Sequence, residues 1–132
     1  MNNLVVYTTL TVLDQIRSHG ERAYPYECCG VLLGQEMDQR TLLEILPAEN
    51  TTDATKENRY LISPEIIMEA EKQAREKGMD VLGFYHSHPD HPARPSEFDR
   101  KHAWPWYSYI IVSVQNGLAN DLFSWQLTDD RS

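Results

Sequence analysis

Two spacings of apolar residues organise the chain. Some stretches are apolar at every second position or without a break, as strands are; others are apolar at every third or fourth, as helices are. Leu4-Val5-Val6-Tyr7 reads as a short first strand. Thr8 or Thr9 can cap a helix over roughly Leu10 to Ser18, with Leu10, Leu13 and Ile16 near helical spacing and Gly20 as its stop. Cys28 to Gly34 is a nearly continuous apolar run and reads as a buried strand. Met37 to Arg40 turns the chain into a partner strand, Thr41 to Leu46, which Pro47 ends. Asn50 to Asn58 is polar and irregular and is expected to be the most mobile segment. Arg59 to Ile62 is a candidate short strand.

Ser63-Pro64-Glu65 has the chemistry of a helix start, with proline in the first turn. That helix is expected to reach about Lys77 and stop at Gly78. Ile66, Ile67, Ala70, Gln73 and Ala74 form its inner stripe, while its Glu, Lys and Arg residues face water. Val81 to His88 is a further strand, followed by a loop and a short helix from about Ser96 to Ala103. Tyr107 to Val114 and Leu118 to Leu127 pair through Asn116-Gly117, a tight-hairpin signal. Thr128 to Ser132 is a polar tail expected to fray. Hairpins mixed with helices, without regular strand–helix alternation, predict an α+β fold. One domain over residues 1–132 would hold a curved, largely antiparallel β-sheet flanked by two longer helices, with the short helix after the loop.

The composition narrows the function. A formal net charge of −8 argues against a protein that grips nucleic-acid phosphates, which needs a basic face. No apolar run approaches a membrane span, and the N-terminus lacks a basic region followed by an apolar one, so a cytoplasmic protein is expected. Cys28 and Cys29 are the only cysteines. Adjacent thiols rarely bridge, which suits a reducing compartment and a role as small buried hydrophobes. A redox role lacks the C-x-x-C spacing.

The chemistry gathers after Val81. Side chains two apart on a strand share a face, so His86 and His88 point one way and Ser87 the other. Pro89 cannot donate to a ladder and should close the strand. Asp99 follows eleven positions after His88, beyond a loop stiffened by Pro92 and Pro95. Two imidazoles and a carboxylate are a ligand set for catalytic zinc, which keeps its fourth position for water. A separate carboxylate must then accept the water's proton, and Glu27, at the start of a core strand, is the best candidate. Ser96 and Asp99 also fit the capping pattern [ST]-x-x-[DE], and the two roles are compatible. His19, His91 and His102 lack partner spacing and are expected to be structural or exposed.

His86-Ser87-His88-Pro89, followed by Ser96 and Asp99, resembles the JAMM (MPN+) metalloprotease motif H-[ST]-H-x7-S-x2-D. Pro25 to Gly34 resembles that family's upstream block P-x-E-x-C-G-x-L-x-G. The shortness of the chain is similar to the compact prokaryotic branch. The resemblance implies a JAMM/cytidine-deaminase-like fold and zinc held by His86, His88 and Asp99. It implies that Glu27 shuttles the proton of the catalytic water and that Ser96 helps hold the oxyanion. The implied reaction is hydrolysis of an amide or isopeptide bond after the C-terminal tail of a ubiquitin-like or sulfur-carrier protein. A catalytically silent MPN-type binding or scaffold domain is the alternative, and every motif position being filled counts against it. The oligomeric state is left open.

Overall fold

The computed structural model describes residues 1–3 and 5–128. In chain order the elements are β1 (Asn2–Asn3), α1 (Leu10–Ala23), β2 (Cys29–Glu36), β3 (Arg40–Ala48), α2 (Pro64–Glu76), β4 (Asp80–Pro89), α3 (Glu97–His102), β5 (Ser108–Gln115) and β6 (Leu118–Gln126). The strands form one sheet in the order β1-β6-β5-β4-β2-β3. Neighbours run antiparallel except β4 and β5, which are parallel.

The central strands bury both faces. On β2, Leu32 turns to a core shared with Val12 and Ile16 of α1, while Val31 and Leu33 pack with Ala70 and Ala74 of α2. The two long helices therefore cover opposite sides of the sheet. On β4, Leu82 and Tyr85 both join the α1-side core although they are three residues apart. Gly83 (φ 154°) makes this possible: its backbone lies so close to the Ser108 carbonyl that any Cβ would collide. After it the alternation resumes. Phe84 packs on the α2 side, His86 stacks on Tyr60, and Ser87 lies near Gly20 of α1. The histidine pair thus occupies the α2 face.

The sheet curls. Asn3 pairs with β6, yet Tyr7 already bridges Thr41 of β3, the opposite edge. Four residues span at most about 14 Å, whereas the outer strands of a flat six-stranded sheet lie about 24 Å apart. Arg40 at the start of β3 reaches the Trp106 carbonyl (2.6 Å) and Ser108 Oγ (2.9 Å) in the same closing seam.

Several expectations need correction. Leu4 lies outside the described residues, and the first strand is Asn2–Asn3; Val5 and Val6 belong to the crossing between sheet edges rather than to a strand. Helix α1 does not stop at Gly20 but continues to Ala23, with Thr9 as its N-cap. Its inner stripe is Val12, Ile16 and Gly20, while Leu10 is exposed. Gly20 is there for closeness: a Cβ would come within 3.0 Å of Val114 Cγ2. Pro47 does not end β3 but pairs opposite Gly30, which an edge strand tolerates because the missing N–H need not meet a partner. Arg59–Ile62 is not a strand; its backbone is held by Asn50, whose Nδ2 donates to Arg59 O (3.0 Å) and whose Oδ1 accepts from Leu61 N (3.1 Å). Helix α2, capped by Ser63 and ending before Gly78, follows expectation. In the tail, residues 129–132 lie outside the described residues. No helix among the described residues is long and apolar enough to cross a membrane.

Candidate metal centre and active site

Three polar side chains that ordinarily prefer water are packed together at the tip of β4. His86 is 1% exposed and His88 7%. Asp99 comes from α3, and the helix start aims it. Ser96 Oγ accepts the Asp99 N–H (3.0 Å), and Asp99 Oδ2 accepts the Ser96 N–H (2.9 Å), a reciprocal capping box. The same Oδ2 lies 3.2 Å from His86 Nε2 and 3.0 Å from His88 Nε2, and the two Nε2 atoms are 3.2 Å apart. The capping bond and the approach to both imidazoles, compatible on the sequence reading, use one carboxylate oxygen.

The donor set fits a metal ion. Bonds of about 2.0–2.1 Å at tetrahedral angles separate ligand atoms by about 3.3 Å, close to the observed triangle. His88 Nδ1 donates to the Pro92 carbonyl (2.8 Å), so the neutral ring carries its lone pair on Nε2, at the triangle. His86 is oriented by its ring instead, stacked on Tyr60 at 4.5 Å. The trio is the group of His, Cys, Asp and Glu side chains able to hold a metal ion among the described residues. Burial alone would raise the Asp99 pKa, but the charge of His86 and hydrogen bonds from both histidines and the Ser96 backbone hold it well below the usual carboxylate range. Burial lowers His86. Burial also opposes charge on His88, yet the bonds to Asp99 and Pro92 outweigh it and raise that pKa.

Glu27 reaches this group through strand register. Cys29 pairs with His86, and Cys28 N donates to Ser87 Oγ (2.8 Å); one more antiparallel step sets Glu27 opposite His88. The Glu27 backbone is pinned from the other side by Lys56 O (2.7 Å) and Asn50 Nδ2 (3.2 Å). The polar segment after β3 thus roofs the site. The Glu27 side chain is 6% exposed, and its Oε1 has no hydrogen-bond partner among the described residues. Burial pushes its pKa up to about 8, against the opposing pull of His88. Glu27, His88, Ser96, Asn58 and Arg59 border one cavity of about 500 Å³. The exposed Ser96 uses its oxygen to accept the helix N–H, which leaves its hydroxyl proton available to the cavity.

The remaining candidates stand apart from the triangle. His91 borders the same cavity without joining the trio. His102 Nδ1 meets the Phe98 carbonyl, and His19 Nδ1 meets Tyr85 Oη at 2.8 Å. Cys28 and Cys29 are buried, and burial pushes their thiols up to about 11 and about 12, far from a reactive thiolate. Sequence reasoning missed Tyr60, Arg59 and Asn50. None carries a local signal, because their roles arise where the roofing segment folds over the sheet; Arg59, for instance, lies 4.1 Å over the Phe98 ring.

Known proteins share this arrangement of sequence. Desampylase from Haloferax volcanii is 38% identical over 105 residues, covering 76% of this chain and 74% of its own length. A probable TtuB-protein conjugate cleaving protease from Thermus thermophilus is 32% identical over 113 residues, covering 86% of this chain and 73% of its own. In fold, a JAB1/MPN domain protein from Archaeoglobus fulgidus superposes with a TM-score of 0.60 at 20% identity, covering 91% of this chain and 88% of the other. The family model described as prokaryotic homologs of the JAB domain matches residues 9–128, nearly the whole length, and the chain belongs to that family.

Proposed function

We propose that the protein is a zinc-dependent hydrolase that cleaves the amide or isopeptide bond following the C-terminal tail of a ubiquitin-like or sulfur-carrier protein. Membership of the JAB family, beside relatives named as a desampylase and a conjugate-cleaving protease, makes the chain a hydrolase of the isopeptidase kind. The observation that carries the zinc chemistry is the triangle of His86 Nε2, His88 Nε2 and Asp99 Oδ2 with the buried, unpartnered Glu27 beside it. Zinc held there would lower the pKa of water to roughly 7 and polarise the substrate carbonyl.

The residues of the chain supply the rest. Glu27 takes the proton of the attacking water as its oxygen bonds to the carbonyl carbon. It returns that proton to the leaving nitrogen as the carbon–nitrogen bond breaks. With a dication held beside it, Glu27 would titrate below its metal-free value and serve as a base near neutral pH. The Ser96 hydroxyl donates to the oxyanion. Asp99, His86 and His88 would hold the metal, and the Pro92 carbonyl keeps His88 in the tautomer that suits it. The reduced, buried Cys28 and Cys29 agree with the cytoplasm as the compartment.

The test is incubation of the purified protein with tail-linked ubiquitin-like and sulfur-carrier conjugates, with mass spectrometry of the products. Release of the leaving group, abolished by a chelator and restored by zinc, is expected. Glu27→Gln should keep its zinc and lose roughly two to four decades of rate. Full activity in that variant removes Glu27 from the mechanism, and chelator-insensitive cleavage removes the metal.

A further inference from the structure

A second cavity, of about 310 Å³, opens on the same metal triangle from another side. His86 and Asp99 are in its wall, but His88 and Glu27 are not; those two face the polar cavity. Its other walls are mostly apolar and aromatic, with Thr52 and His102 the polar exceptions. Phe84 and Tyr109, with ring centroids 5.9 Å apart, come from β4 and β5. Tyr60 and Ile62 come from the roofing segment, Phe98 from α3, and Trp104 stands at the rim, 68% exposed. The size is at the lower end of pockets that take small ligands, about 300–1,000 Å³. An apolar hollow that shares two of the three candidate metal ligands is placed to meet whatever lies beside the scissile bond.

The path of the proton decides which part of the substrate enters. The leaving nitrogen must come within reach of Glu27, and Glu27 opens onto the polar cavity with Asn58 and Arg59. The leaving group therefore departs on that side, and the acyl part of the substrate extends towards the other. We infer that the apolar cavity is a specificity subsite for an apolar side chain on the acyl side of the scissile bond, borne by one of the last three or so residues of the substrate's tail (at about 3.3 Å per residue). This rests on the hydrolase reading above and adds the substrate class: tails that carry a large apolar residue close to their end, seated between Phe84, Phe98 and Tyr109.

The test uses the whole protein and needs no turnover. Acetylated pentapeptides of serine with a free C-terminal carboxylate mimic the released acyl product. One leucine is moved through each position, and an all-serine peptide is the control. Binding is followed by NMR chemical shifts. One register of leucine should bind about tenfold tighter than the control or better, with shifts centred on Phe84, Phe98, Trp104 and Tyr109. Trp104→Ala, at the exposed rim where folding tolerates it, should lose most of that gain while leaving the control unchanged. Phe98→Ser should do the same from the pocket wall. A gain below twofold in every register, or shifts centred elsewhere, overturns the subsite. A parallel cleavage assay on intact conjugates keeps the two readings apart: cleavage without leucine preference removes the subsite alone, whereas leucine preference without any cleavage leaves the subsite and removes the hydrolase.

Discussion

Burial raises the Glu27 pKa from an ordinary 4.5 to about 8 in the metal-free protein, against the pull of His88. Between those values the folded chain holds a proton that the unfolded chain has released, so the native state binds more protons and stability falls as pH rises. Below 4.5 both states are protonated and above about 8 both are ionised, so the slope vanishes at each end. His86, lowered, and His88, raised, act with opposite signs around their ordinary pKa: the first adds stability as pH rises and the second removes it. The Cys28 and Cys29 thiols contribute only at higher pH. Urea midpoints in chelator should therefore decline from pH 5 to 8, and Glu27 carries part of that decline. Glu27→Gln should flatten it and be more stable than the parent at pH 8. An unchanged slope in that variant would mean that Glu27 is ionised in the fold.

Helix α3 and the loop before it bring two distant chain segments into one candidate ligand set. In α3 one carboxylate caps the helix and faces the imidazoles, and two substitutions separate those duties. Asp99→Asn keeps an acceptor for the Ser96 N–H; Asp99→Ala does not. Zinc measured by elemental analysis should fall well below one per chain in both, while the metal-free stability of Asp99→Ala should drop by about 1 kcal/mol more, the typical loss of a cap. The loop is braced from three directions. Asp90 Oδ1 accepts from Asn116 N (2.9 Å) and Oδ2 from Tyr24 Oη (2.6 Å). Ser113 Oγ donates to His91 O (2.6 Å), and Trp125 Nε1 donates to Ala93 O (3.0 Å). These bonds set where the Pro92 carbonyl meets His88. Asp90→Ala, although outside the ligand set, should weaken zinc binding by roughly tenfold, as loss of an orienting partner does. Competition with a chromophoric chelator measures it, and unchanged affinity would show that the loop holds its place without Asp90.

Across the whole molecule, local signals carried the parts that depend on a few neighbouring residues. Unbroken apolar runs marked β2 and the start of β4, a serine–proline start marked α2, and spacing along one strand brought His86 and His88 to one face. The spacing after His88 singled out Asp99 as a candidate ligand, and the local capping pattern placed it at a helix start. What escaped depends on contacts made late in folding. Gly20 looks like a helix stop until Val114 lies against it. Pro47 looks like a strand end until β3 proves to be an edge. Arg59–Ile62 looks like a strand until the Asn50 side chain takes the partner's place. The approach of Glu27 to His88 follows from the β2–β4 register, which no single segment encodes; its place at the start of a core strand and the family-like block around it singled out Glu27 but not that contact. The sheet separates these layers of information: the α1 face is core alone, and the α2 face carries the site. Ile16, fully buried on the α1 face, therefore offers a test of how independent the faces are. Ile16→Ala should cost about 2–5 kcal/mol of stability through the cavity it leaves, while zinc affinity of the folded protein stays within about twofold. Tyr60→Leu, which removes the stack on His86, should do the reverse and weaken zinc binding with little loss of stability. Both faces meet in β4, where Tyr85 and His86 are adjacent; if zinc affinity instead fell in step with stability in Ile16→Ala, the strand would be transmitting core strain to the ligands, and the α1 face would have to be counted as part of the active-site scaffold.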